Sequence, residues 1–439
     1  MNMIFKVTSL LWSYVFPILL IILGLRLHII TKGKLISKLF YGVKVLKKYS
    51  FKETRMGISP LTALMVALSS TVGIGNIAGV FLAIQLGGPG ALFWMWVLGV
   101  LSISIKYAET MLGHKYREIH ENRYLGGPMM YLQHVFKNKT LPRVYAVSML
   151  ISIMLGVGVI PQAHMVLDIF TTTFETPLVI TAFVLTGVVT YLAFGGLKNV
   201  KHMAIIIMPA MLILFVTGNL YILLLHANQI PQAFVLIVRS AFGMKVVAGA
   251  SAGYALKYAV ENGVKRGIFS SESGLGGATF ASSQAIEVKS VEQGYVHILE
   301  VLIDTFVINT LTGLTFIITG VYKIAGESIS LIESAYLDKF GIGKTIVTLG
   351  LIFFAFTTIV TWSYFGSECA RYLKGEKAVR IFRLAFVVMV LTSSFWDMSI
   401  IWDLSDTTTA VMIIPNMIGL FALMKVVKNE TKDYFEGEN

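Results

Sequence analysis

Three glycines and an asparagine interrupt an otherwise apolar run in the stretch SSTVGIGNIAGV, residues 69–80. Glycine in a helix interior costs about 1 kcal/mol relative to alanine. An asparagine amide in hydrocarbon without partners costs roughly 2 kcal/mol or more. Gly73, Gly75, Asn76 and Gly79 therefore mark a place where the backbone leaves the helix. Such a break frees N–H groups on one side and carbonyls on the other, and a membrane tolerates this only where the groups are satisfied or line a cavity. The freed N–H groups, at the positive end of a half-helix, suit a carboxylate. The freed carbonyls, those of Ser69 and Val72, suit a hard cation such as Na⁺. The competing reading is a close helix crossing through small residues, which weighs most at Gly79.

A second stretch of this kind is FSSESGLGG, residues 269–277, with hydroxyls, backbone amides and Glu272. An acid inside a span is a functional candidate by default; the structural alternative pairs Glu272 with Lys265 or Arg266. In GVGVIPQAHMV, residues 156–166, Pro161 frees a carbonyl one turn earlier. Gln162 there could reach a substrate or bond a neighbouring helix, and His164 reads as structural. Thr358 and Trp362 lie four apart on one helix face. With Thr357, their helix could bring hydroxyls to the freed carbonyls and complete a cation site, although threonine also bonds back to its own helix. Lys106 and Glu109, at i and i+3, read as an ion pair or as snorkelling side chains. Asp304 is a membrane-embedded acid without an evident purpose.

The elements that must hold these residues are spanning helices. Of the 439 residues, 56% are hydrophobic and 14% charged, against roughly 25% charged in soluble domains; mean hydropathy is +0.75. Apolar runs long enough to span occur at about 8–31, 59–84, 90–113, 144–170, 177–195, 202–226, 263–287, 297–320, 345–372, 380–396 and 400–425. The first is too long for a signal-peptide core and reads as a retained span. Setting it aside leaves ten, which divide five plus five. Halves with an odd number of spans enter the bilayer from opposite sides, as in an inverted repeat, and the two Gly-interrupted stretches then stand at corresponding positions. The expected parts are an N-terminal span and basic linker (1–55), a first five-helix repeat (56–228), an outer amphipathic or re-entrant segment (229–262), a second repeat (263–427) and a tail (428–439).

Orientation follows from Lys and Arg. Segment 26–55 holds nine, 113–143 six and 371–383 five. Placing these loops inside puts the N-terminus outside and the C-terminus in the cytoplasm. The net charge of +12 then sits beside spans and matches anionic headgroups, not nucleic acid. A single cysteine, Cys369, excludes an intrachain disulfide.

At these residues the chain resembles the alanine/glycine:cation symporter family. The matching pieces are GIGNIAGV at 73–80, GGPGALFWMWV at 87–97, KYAE at 106–109, GGPMMY at 126–131, GVKRGIFSSESGLGGA at 263–278, FAFTTIVTWSYFG at 354–366 and IPNMIGL at 414–420. The resemblance implies an all-α, leucine-transporter-like 5+5 fold with one extra N-terminal helix, eleven in all, and Na⁺- or H⁺-coupled uptake of a small neutral amino acid. It would place Ile74, Gly75, Asn76, Gln162, Phe269, Ser270, Ser271 and Gly274 around the amino acid, with Thr358 and Trp362 near it. The chain departs from the family's usual SNEAG at Ser271 and Ser273, has Ile74 where Thr is frequent, and carries Val159, Ala163, His164 and Met165 where several Asn, Thr and Ser are usual.

The expectation is a plasma-membrane symporter of a small neutral amino acid, with Na⁺ or H⁺ as coupling ion and no cofactor, nucleic-acid or obligatory protein partner. A channel would need a continuous polar lining or charged rings, where the sequence offers a compact cluster. A membrane enzyme would have Glu272, His164 and Asp304 to work with, but shows no His-Glu-x-x-His spacing and no nucleophile elbow.

Overall fold

The computed structural model describes residues 2–49, 57–120, 123–136, 138–243, 252–324, 326, 329–338 and 341–437. The expected 55/56 boundary, and residues 244–251 of the expected outer segment, lie outside them.

The N-terminal span, Lys6–Ile30, ends in α1 (Phe16–Ile30), where Pro17, which has no N–H to give the helix, directly follows a π-helical stretch at Leu11–Val15. A basic amphipathic helix, Tyr41–Tyr49, follows. Next comes α2 (Pro60–Thr71), capped by Ser59, whose Oγ accepts the Thr62 N–H at 3.1 Å. It stops where Val72 turns extended. A single turn, Ile74–Asn76, leads to α3 (Ala78–Gly87), and the two halves are bent by 65°. A continuous α4 (Gly90–Lys115) runs back. An antiparallel hairpin, β1 (Glu118–His120) with β2 (Arg123–Leu125), forms the one sheet among the described residues.

The span expected at 144–170 is two helices, α5 (Thr140–Leu155) and α6 (Ile160–Thr172), separated by Gly156–Val159. Gly156 abuts α15, defined below: a Cβ there would lie 2.2 Å from Thr408 Oγ1. Then come α7 (Leu178–Phe194), α8 (Gly196–Leu225) and the short α9 (Ile230–Ala241).

The second half departs from the expected boundaries. Its first helix, α10 (Ala252–Ser271), begins upstream of 263, so Lys257 and Glu261 belong to it and not to a separate outer segment. It breaks over 272–277, where Glu272, Gly274 and Gly276 have φ of +52°, +88° and +82°, and resumes as α11 (Ala278–Ser282). Glycine enters the left-handed region at no steric cost; Glu272 does so without that licence. The seventh core passage joins α12 (Ser290–Val301), a π-helical stretch at Leu302–Asn309 and α13 (Thr310–Thr319). The next two expected spans are joined end to end in α14 (Ile342–Thr392), with non-helical torsions at Lys374 and Gly375. Last is α15 (Met398–Glu436), capped by the Asp397 carboxylate.

Among the described residues, seven helices are long and apolar enough to cross a membrane, and the bent α2–α3 pair makes eight. The expected eleven passages also count the 17-residue α7, the broken α10–α11 and the two parts of α14 separately. The chain is a multi-pass, helical membrane protein. The bent α2–α3 pair and the broken α10–α11 pair are neighbours, since α10 lies against α3 and α4; α14 packs against α2, α6, α7 and α8. Just outside them, Ile58 and Ala285 pair as an isolated parallel bridge, tying the entry of α2 to the exit of α11.

Candidate functional site

The two breaks touch. A Cβ on Gly75 would stand 2.9 Å from the Phe269 ring and 3.2 Å from the Ser270 Cα. The glycine is thus required by close approach. A Cβ on Gly73 would meet Thr358 Oγ1 at 2.7 Å.

Side chains replace the missing helical partners. At the first break, Gly73 N–H donates to Asn76 Oδ1 at 3.0 Å and Ile74 N–H to Gln162 Oε1 at 3.2 Å. Gln162 Nε2 in turn donates to Val157 O, in the break of the third core passage, at 3.3 Å. Thr358 Oγ1 faces the other end, 3.3 Å from Ser69 O and 3.4 Å from both Ser70 O and Val72 O. At the second break, Tyr145 donates to Leu275 O and Asn416 to Gly274 O, both at 2.8 Å. This is the satisfaction that irregular backbone at membrane depth demands.

Asn76 joins the two breaks to the π-helical stretch. Its Nδ2 lies 2.9 Å from Ser270 Oγ, 2.5 Å from Asp304 Oδ1 and 2.9 Å from Asn309 Oδ1. Asp304 and Asn309 are five apart, which an α-helix places on different faces and a π-turn aligns. Ser270 Oγ also sits 3.2 Å from both Asp304 Oδ1 and Asn309 Oδ1. All four residues are buried. The result is a compact set of oxygens of the hard type that suits alkali and alkaline-earth cations.

The expected pairings of charge are corrected. Glu272 does not pair with Lys265 or Arg266. Its carboxylate accepts from Ser70 Oγ at 3.2 Å and Trp362 Nε1 at 3.1 Å, because its left-handed backbone turns it towards α2 and α14. Lys265 and Arg266 instead bind Asp406 on α15, Lys265 Nζ at 2.5 Å and Arg266 at 3.2 and 3.3 Å. Lys106 pairs not with Glu109 but with Glu300 on α12 at 2.9 Å, both side chains fully buried. Thr71 Oγ1 and His297 Nδ1 also bond Glu300, at 2.7 and 2.9 Å. Glu109 accepts from Asn416 Nδ2 at 2.5 Å. The i,i+3 spacing offered a local partner; burial made the tertiary partner decisive.

Of the residues read from the sequence, Ser69, Val72, Ile74, Gly75, Asn76, Gln162, Phe269, Ser270 and Thr358 come together around the two breaks. Trp362 adjoins them through Glu272. The others are placed differently. Thr357 Oγ1 bonds back to Phe354 O at 3.1 Å, leaving Thr358 alone facing the break. The Ser271 hydroxyl caps Ser273 N–H within its own loop at 3.4 Å. Gly274 faces Ile413 and Leu20, not Asn76. His164 bonds Ser393 O at 3.1 Å, a structural role. Asn309, Thr71, Glu300, Thr361 and Asn416 belong to the site or its supports without having been singled out. Thr361 Oγ1 lies 2.8 Å from Ser69 Oγ and is one helical turn beyond Thr358, a spacing visible in the sequence.

The fold is shared with solved transporters. The structure of MhsT with L-phenylalanine superposes with a TM-score of 0.60 at 14% identity, covering 87% of this chain and 99% of that one. A substrate-bound Na⁺-coupled sialic acid symporter gives 0.51 at 12% identity, over 84% and 81%. These likenesses place the chain among leucine-transporter-like folds. In sequence, it is 36% identical to a sodium/alanine symporter of Methanococcus maripaludis over 99% of this chain and 97% of that protein. An uncharacterized transporter of Haemophilus influenzae is 38% identical over 88% and 87%. An amino-acid carrier protein of Bacillus subtilis is 29% identical over 97% and 90%. The profile of one family matches residues 1–439, and the chain belongs to that family, the sodium:alanine symporters.

Proposed function

We propose that this transporter imports a small neutral amino acid, of the alanine and glycine class, driven by a Na⁺ gradient. The observation that carries the reading is the meeting of the two broken helices at Gly75 and Phe269–Ser270. The backbone of Ile74–Asn76, with Gln162, Phe269 and Ser270, holds the zwitterion. Na⁺ sits among the carbonyls of Ser69 and Val72 and the Thr358 hydroxyl, where it stabilises the arrangement ready for substrate. An ion couples only if it binds one conformational state better than the other. The Asp304–Asn309–Ser270 oxygens supply a second set of hard donors.

In this reading the chain is a five-plus-five inverted repeat behind one extra N-terminal span. The repeats rock around the fixed site, in the plasma membrane, with the N-terminus outside and the C-terminus in the cytoplasm. A cavity of about 960 Å³ on the side of the 118–125 hairpin supports an inward exit, since it reaches Tyr364 and Ser367. Tyr364 is about 9 Å along α14 from Thr358, at 1.5 Å per residue.

Proton coupling is the second reading. It is favoured by the buried Glu272, which among the described residues bonds Ser70 and Trp362 and no basic side chain. Purified protein in liposomes decides between the two. Radiolabelled alanine, glycine and serine are offered with an imposed Na⁺ or H⁺ gradient. Saturable uptake driven by Na⁺ alone is expected; uptake driven by H⁺ alone, or unsaturable flux, would refute the proposal.

A further inference from the structure

Two apolar grooves run along the two sides of α5 and share one end. The larger, about 800 Å³, lies between α5 and both parts of α14, with Leu150, Met154, Ile381 and Phe382 in its walls. The smaller, about 400 Å³, lies between α5 and α15, with Val144, Ser148 and Val411. Arg143, Val147 and Ile151 line both. These three are spaced by four residues and form one ridge. Val147 and Ile151 are 44% and 45% exposed, and Ile381 is 69% exposed, so the grooves open outward on a spanning helix, where hydrocarbon is the neighbour.

The shared end is basic. Arg143 belongs to both grooves, and Lys374 closes the end of the larger one. Both are exposed, and neither bonds a carboxylate among the described residues. Lys374 stands at the kink of α14, where Lys374 and Gly375 have non-helical torsions. From Arg143 to Leu155 the larger groove runs about 18 Å along α5, at 1.5 Å per residue. That is about one leaflet of a hydrocarbon core roughly 30 Å thick.

We propose that these grooves bind one anionic phospholipid, its two acyl chains straddling α5 and its phosphate held between Arg143 and Lys374. Two grooves running side by side along one ridge from a cationic end match a molecule with two tails and one anionic head. Basic pockets between spanning helices are suited to such headgroups. The lipid joins α5 to α14, the helix that carries Thr358. A second copy of this chain would have to present acids to the two cations and a split apolar surface to the ridge.

The test is native mass spectrometry of the purified chain in detergent with an equimolar mixture of phosphatidylglycerol and phosphatidylcholine. One phosphatidylglycerol should be retained in preference to phosphatidylcholine. The double variant Arg143→Gln/Lys374→Gln should lose about thirty-fold in that retention, and Arg143→Lys should keep most of it. Ile151→Trp, which fills both grooves and leaves both charges, should also lose the lipid. Equal retention of the two lipids, or unchanged retention in the double or the Trp variant, overturns the proposal. So does a dimer that disappears in Ile151→Trp, which would make the ridge an interface between copies. None of these readouts depends on transport, so they stand or fall apart from the proposed function.

Discussion

The Thr358 hydroxyl stands 3.3 Å from the Ser69 carbonyl oxygen, across the gap where α2 loses its own hydrogen bonds. A hydroxyl so placed among three carbonyls can serve as donor to one of them or as a ligand to an ion among them. If it is an ion ligand, Thr358→Ala should raise the Na⁺ concentration for half-maximal uptake about ten-fold or more, and Thr358→Ser should stay within about three-fold of the parent. Those limits follow from the roughly 1–3 kcal/mol that leaving a buried polar partner unsatisfied costs. Uptake measured against Na⁺ concentration checks it. An unchanged Na⁺ dependence in the alanine variant would remove Thr358 from the ion site.

Gly75 is tested by adding one carbon. The new Cβ would meet both the Phe269 ring and the Ser270 Cα, and the second of these is backbone that cannot rotate away. Gly75→Ala should therefore separate the two breaks and reduce uptake below about a tenth of the parent, at normal expression, since small displacements of binding groups cost about two orders of magnitude. Uptake close to the parent level would mean that the breaks need not touch.

The Lys106–Glu300 pair separates stability from transport. With both side chains fully buried, removing one partner strands the other, at a cost of about 3–5 kcal/mol. Lys106→Met should sharply lower the thermal midpoint in detergent, as should Glu300→Gln. The double variant should recover much of the loss, because the amide that replaces the Glu300 carboxylate still offers an acceptor to Thr71. Additive losses in the double variant would show that the two charges do not stabilise one another.

Much of this site was legible in the sequence, and the limits of that legibility are physical. Gly73, Gly75 and Asn76 stand out because glycine and an amide are unfavourable in an apolar helix, and the penalty points to a break whatever the partners are. The same holds for 269–277. What spacing alone could not supply were partners distant in the chain. Lys106 had Glu109 at i+3, yet its partner is Glu300; Glu272 had two cations within seven residues, yet faces Ser70 and Trp362. Asp304 and Asn309 show no relation in the sequence because a regular helix separates positions five apart, and only a π-turn aligns them. The start of α10 was misplaced because Lys257 and Glu261, charges in a Gly- and Ala-rich stretch, read as part of an amphipathic or re-entrant outer segment and not as the first turns of a spanning helix.

Glu272 distinguishes the two coupling ions. Glu272→Gln preserves the shape and keeps an oxygen for Ser70 or Trp362. Under Na⁺ coupling, uptake driven by a Na⁺ gradient should stay within a few-fold of the parent. Loss of gradient-driven uptake, with substrate exchange across the membrane preserved, is the outcome that would assign the proton to Glu272.

Asp406 acts on the site through a chain of contacts. It holds Arg266, whose guanidinium lies 4.4 Å from the centre of the Trp402 ring. Trp402 in turn meets the Phe269 ring edge to face at 5.2 Å, and Phe269 abuts Gly75. Asp406→Asn leaves Arg266 and Lys265 without their carboxylate, and Arg266 is buried. Arg266 should then leave its place over Trp402, and Phe269 should lose its support. If Phe269 lines the substrate site as proposed, the expected result is a half-saturating substrate concentration raised about ten-fold with a smaller change in maximal rate. Asp406→Glu should restore much of the affinity. If Asp406→Asn lowered the thermal midpoint while both kinetic constants stayed at the parent values, the aspartate would be a structural anchor with no influence on Phe269.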